Sequence, residues 1–151
     1  MNQIVFCRHD QPYFEFSNFY ISPIIYNGKR WRTTEHLYQA MKFEDENIQE
    51  KIRSCASARQ AAKLGRSYIQ GQLRANWDDI KYGVMKDIIL CKVKQHPRIK
   101  KLLLDTGDVP IIEYSKKDYV WGSGANFEGK NWLGKIWMEI RSVLRSQNND
   151  V

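Results

Sequence analysis

Long apolar runs are missing from this chain, and none approaches the roughly 20 residues needed to span a bilayer. Its first residues, MNQIVFCRHDQ, lack the apolar centre of a secretory signal, so the expectation is a cytoplasmic protein with no membrane partner. Cysteine is scarce: Cys7, Cys55 and Cys91 stand far apart, with no CxxC pair. An odd, scattered set excludes a disulfide framework and a structural zinc site of the usual spacing. His9, His36 and His96 are equally dispersed and form neither an HExxH nor a facial-triad pattern. No metal and no cofactor are expected. Internal repeats and a linker that would split the chain are absent too.

The composition that remains is that of a folded globule, 42% apolar and 13% aromatic over 151 residues. The simplest organisation is a single domain over residues 1–151. Its core runs from about residue 4 to 144, and the polar tail 146–151 is frayed. The formal charge of +7 suits an anionic partner such as phosphate, pyrophosphate or nucleic acid. The basic residues are spread along the chain, however, so solvated helix faces account for the excess equally well.

The most informative stretch is Trp31–Phe43, WRTTEHLYQAMKF. Thr33 or Thr34 can cap a helix whose first turn holds Glu35, where the helix dipole favours an anion. At 100° per residue Glu35, Tyr38, Gln39 and Lys42 share one face, opposite Leu37, Ala40 and Met41. Glu35 and Lys42 then lie roughly 10 Å apart along the axis, about the length of a substituted pentose. An amphipathic helix with its charges in water fits the same spacing and is the commoner case.

Around it, Ile4–Cys7 reads as a short strand, and Asn27-Gly28 as a type I′ hairpin turn. Asp45–Arg53 reads as a charged surface helix, and Ser57 caps a helix that ends with Gly65 as its C′ residue. Arg66 beyond it is a phosphate partner or a plain surface charge. Arg74 and Trp77 form a pair suited to phosphate contact and base stacking, with Trp77 equally suited to the core. Asn76 or Asp78 caps a long helix with a stripe of Ile80, Val84, Met85, Ile88, Cys91 and Val93, ended by His96-Pro97. RIKKLLLD is a short helix stopping near Gly107. VPIIEY and DYVW read as strands, and LGKIWMEIRSVLR as a helix burying Leu133, Ile136, Trp137, Ile140, Val143 and Leu144. The fold class is therefore α+β, helix-rich, with a small antiparallel sheet of the N-terminal strand, the hairpin and the two late strands.

Gly124–Asn131, GANFEGKN, approaches the phosphate-loop pattern but excludes a nucleoside triphosphatase. Asn131 has no hydroxyl for magnesium, and Glu128 would put a carboxylate in the phosphate cradle.

FSNFYISPI followed by WRTTEHLYQAMKF, then AAKLGR, LRANWDDIKYGVM, LLLDTG, IIEYS, DYVWGSG and GKNWLGKIWMEIR, run in order from Phe16 to about Leu144. This ordered set resembles the NADAR (YbiA-like) family. Arg32 departs from the pattern, which commonly has proline before the threonine. The resemblance implies a single YbiA-like domain that cleaves or binds an N-glycosidic bond on ribose. Breaking that bond builds positive charge on C1 and negative charge on the departing base. Glu35 is then the acid/base or the carboxylate that stabilises C1. Lys42 either holds phosphate or attacks C1 as a neutral amine to form a Schiff base. Asp118 is a second carboxylate, for Lys42 or for ribose hydroxyls, or else only a turn residue. Ligand contacts are expected from Asn18, Trp31, Tyr38, Gln39, Arg66, Arg74, Trp77, Trp121, Gly122 and Asn131.

Three functions follow from the resemblance. One is an N-glycosidase on riboflavin-pathway ribosylamine phosphates. Another is a hydrolase removing ADP-ribose from guanine in nucleic acid, and the third a non-catalytic NAD or ADP-ribose binding module. The partner is a small molecule containing ribose phosphate or ADP-ribose, with nucleic acid as a further class.

Overall fold

The computed structural model describes residues 2–68 and 70–149. In chain order the elements are β1 (Ile4–Phe6), β2 (Ile24–Tyr26), β3 (Lys29–Trp31), α1 (Thr34–Met41), α2 (Glu46–Arg53), α3 (Ala58–Ser67), α4 (Trp77–Gln95), α5 (Pro97–Asp105), β4 (Ile111–Glu113) and α6 (Trp132–Asn149). They divide into two compact units, one of residues 18–95 and one combining 1–17 with 96–151. No helix among the described residues is long and apolar enough to cross a membrane.

In the unit of residues 18–95, β2 and β3 form the small antiparallel sheet, with Ile24 opposite Trp31 and Tyr26 opposite Lys29. Asn27 and Gly28 both have positive φ, 50° and 80°, as a type I′ turn requires. The side chain of Gln95 at the end of α4 holds this sheet by its edge. Its Oε1 accepts from Ile25 N at 2.8 Å, and its Nε2 donates to Ile25 O at 2.9 Å. Helix α1 packs against α2, α3 and α4, with Leu37, Ala40, Phe43, Ile52, Ala61, Ile88, Ile89 and Val93 in the core.

In the other unit β1 pairs with β4 in parallel, Ile4 opposite Ile111 and Phe6 opposite Glu113, and α6 covers β4. Trp137 on α6 is fully buried; its Nε1 donates to Phe16 O at 3.0 Å, and its ring lies 4.6 Å from that of Phe16.

Helix-rich α+β architecture with a small antiparallel sheet is what the residue patterns predict. Five local details differ. First, the N-terminal strand joins β4 in a parallel pair, not the hairpin. Second, DYVW forms no strand, because Asp118 Oδ1 accepts from both Val120 N and Trp121 N at 2.9 Å and folds the segment into a turn. Third, Gly65 lies inside α3 and does not end it. Fourth, Lys92 and Ile89 are buried on α4 while Cys91 is half-buried, and Val143 on α6 is exposed. Fifth, the backbone of 146–149 continues α6 and is not frayed; the last two residues of the expected tail lie outside the described residues.

Candidate active site

Helix α1 begins as its sequence dictates. Thr33 is the N-cap, its hydroxyl accepting from His36 N at 3.2 Å. His36 is wholly buried, with Nδ1 2.7 Å from Thr33 Oγ1 and Nε2 3.0 Å from Cys55 O. Burial lowers its pKa below the ordinary value, offset in part by the Cys55 carbonyl, and Arg32 lowers it further. Arg32 itself donates to Ala56 O and so ties the helix entry to the α2–α3 connection.

The face carrying Glu35 is not solvated. Every residue from Thr34 to Ala40 is buried, and Glu35 keeps only 7% of its surface exposed. Its Oε1 accepts from Gln39 Nε2 at 2.8 Å, one turn along the helix. Lys42 is the C-cap residue of α1, half-buried, with Nζ 5.7 Å from the centre of the Tyr38 ring. Among the described residues no carboxylate stands within ion-pair distance of its amine. Desolvation lowers its pKa; Glu35 pulls it back up, while Arg66 and Lys81 lower it again. An acid and an amine of lowered pKa therefore sit on one helix, with the charge of Glu35 opposing the desolvation of Lys42.

Tyr38 lies against Trp77, ring centres 5.4 Å apart and both side chains buried, so Trp77 is a wall of this helix's surroundings. Asn18 meets the start of α1: its carbonyl accepts from Glu35 N at 3.1 Å, and its Oδ1 accepts from Thr34 Oγ1 at 2.8 Å. Trp31 is buried, and its Nε1 has no hydrogen-bond partner among the described residues. Arg66 lines an open groove of about 710 Å³ with Phe19, Arg59, Ala62, Lys63 and Ser67. Arg74 grips the far end of α1. Its Nε donates to Met41 O at 2.7 Å and its Nη2 to Phe43 O at 3.1 Å, while Nη1 stands 3.6 Å from Glu44.

Asp118, Trp121, Gly122 and Asn131 belong to the other unit. There Asp118 organises the turn already described, and Trp121 packs edge-on to Trp132 at 5.4 Å. A Cβ on Gly122 would stand 2.8 Å from Ser115 Cβ, which explains a glycine at that close approach. Asn131 uses both ends of its amide to clip β4 to α6. Oδ1 accepts from Glu113 N at 3.0 Å, and Nδ2 donates to Ile111 O at 2.9 Å.

Sequence reasoning misreads Gly65 as a helix end and passes over Lys81 and the His36 network. The run Ala58, Ala61, Ala62, Gly65 is the signal for the first, since small residues at helical spacing mark a face for close helix approach. For His36 and Lys81 the partners three residues away, Thr33 and Asp78, are ordinary helix contacts. What matters here, His36 against Cys55 O and Lys81 near Lys42, joins distant segments.

The NADAR domain model matches residues 5–145. The N-glycosidase YbiA of Shigella boydii is 41% identical over 141 residues, 93% of this chain and 88% of its own length. A riboflavin biosynthesis protein of Vibrio vulnificus is 40% identical over 142 residues, 94% of this chain but 38% of that longer protein. The NMR structure of Escherichia coli YbiA superposes with a TM-score of 0.87 at 36% identity, covering all of this chain and 90% of that one. A family model that runs through both units, with relatives this similar over most of the chain, shows that the chain belongs to the NADAR domain family.

Proposed function

We propose that this protein is an N-glycosidase whose substrate is a ribosylamine phosphate of early riboflavin synthesis, cut between ribose C1 and the nitrogen of the base. The observation that carries this reading is a carboxylate withdrawn from water and a half-buried lysine amine at the two ends of one helix; desolvation, which lowers the amine's pKa, supports it. The names of the relatives, N-glycosidase and riboflavin biosynthesis protein, support the reaction and the substrate class respectively.

In this reading Glu35 faces the positive charge that builds at C1 as the bond to nitrogen lengthens. Lys42, as a free amine, adds to C1 and displaces the base, which leaves with a proton. The ring then opens to an imine between Nζ and C1, and water releases ribose 5-phosphate and restores the amine. Trp77, beside Tyr38, offers a ring for stacking. Trp31 Nε1 and the amide of Asn18 offer polar contacts. Arg74 and Asn131 are already engaged with backbone carbonyls, and their contacts support a role in holding α1 and β4.

One observation favours a second reading. Arg59, Lys63 and Arg66 have no ion-pair partner among the described residues, and the groove they share with exposed Phe19 suits a substrate with more phosphate, such as ADP-ribose on guanine. Turnover of the pyrimidine ribosylamine phosphates and of ADP-ribosylated guanosine, measured side by side with borohydride present, tests both. The expected outcome is release of ribose 5-phosphate from the former and a reduced sugar adduct on Lys42. Glu35→Gln should slow release by about 10²- to 10⁴-fold. Absence of turnover on both substrates, with ligand still bound, would leave only a binding module.

A further inference from the structure

We infer that Gly65 is a positioning residue for Glu35 and acts through Gln39. Helix α3 turns a face of Ala58, Ala61, Ala62 and Gly65 inward, and α1 lies against it. At Gly65 the approach leaves no room for a Cβ. A Cβ there would stand 2.9 Å from Gln39 Cδ and 3.0 Å from Gln39 Cβ, and would strike Oε1 sooner still. Gln39 is 2% exposed, so its amide has nowhere else to go.

The amide has only one useful orientation. Its Nε2 donates to Glu35 Oε1 at 2.8 Å, while its Oε1 faces Gly65 and has no hydrogen-bond partner among the described residues. The Gly65 Cα–H is the nearest group on that side and is a weak donor at best. Turning the amide over would set oxygen against the carboxylate and leave the NH₂ facing carbon. Gly65 thus leaves room for the side chain that aims the carboxylate.

This inference rests on Glu35 being the carboxylate that acts at C1. Its test is a double-mutant cycle in the full chain, Gly65→Ala, Gln39→Ala and both together, read as kcat and KM on a pyrimidine ribosylamine phosphate. Gly65→Ala should lower kcat on the order of 10- to 100-fold while KM stays near its original value, as expected for a misaimed group. In the Gln39→Ala background the same change should cost far less, because Oε1 and Cδ, the atoms it would strike hardest, are gone and only the Cβ contact at 3.0 Å remains. A kcat loss of equal size in both backgrounds, or a double variant that fails to fold, assigns Gly65 to packing alone and overturns the inference. So does an unchanged kcat in Gly65→Ala. Glu35→Gln separates the two levels. Full turnover there removes the underlying reading and this inference with it, whereas lost turnover beside an active Gly65→Ala removes the inference only.

Discussion

Lys42 shows how little of a residue's chemistry is written in its own type. A lysine in water holds its proton to high pH, but this one has lost part of its hydration and faces two further cations, Arg66 and Lys81. Only Glu35 opposes them. A nucleophilic amine works deprotonated, so turnover should climb with pH through the Lys42 pKa. Removing a neighbouring positive charge makes the protonated form less costly, raises that pKa and moves the climb to higher pH. Lys81→Gln is the suitable variant, since Lys81 sits outside the expected ligand contacts and pairs with Asp78 at 3.2 Å. The pH–kcat profile of this variant should shift toward alkaline pH. A shift toward acid would show that the titrating group is not this amine.

Helix α1 is fixed at both ends by different means. At its start Thr33 caps it and His36 links it to Cys55 O, and the threonine is legible in the sequence because a cap acts within three residues. Ser57, which accepts from Gln60 N at 3.1 Å, and the Asn27-Gly28 turn are legible for the same reason. At its far end the fastening is Arg74, more than thirty residues away, and no local pattern announces it. Arg74→Ala would leave the Met41 and Phe43 carbonyls without their charged donor. Denaturant unfolding should register a loss of about 1.5–3 kcal/mol, the range for hydrogen bonds to a charged group. A change indistinguishable from zero would mean that water replaces the guanidinium at no cost. Gly65 misleads for a related reason. A glycine late in a helical pattern usually marks the end of the helix, yet here it serves an approach between two helices, and only the neighbouring helix reveals that.

Across the whole molecule the +7 charge is the feature that bears on substrate choice. A ribosylamine phosphate brings few phosphate contacts, so few counterions are released when it binds. The logarithm of kcat/KM against the logarithm of salt concentration should fall with a slope of about −1, whereas a strand contacting six or more phosphates would give about −4 or steeper. The steep result would move the substrate to nucleic acid and make the Arg59, Lys63 and Arg66 groove its track.

By itself the sequence determined the helix starts, the hairpin, the break at His96-Pro97 and the ordered motifs that carry the family, because each depends on residues a few positions apart or on their order. It also named Glu35 and Lys42 as the residues to watch. Only the tertiary structure decided that α1 is buried from Thr34 to Ala40, that β1 pairs with β4 in parallel, and that Arg74 and Asn131 bind backbone. Burial and pairing are set by segments tens of residues apart. A face holding Glu, Tyr, Gln and Lys reads as solvated until α2, α3 and α4 pack around its helix and withdraw most of it from water.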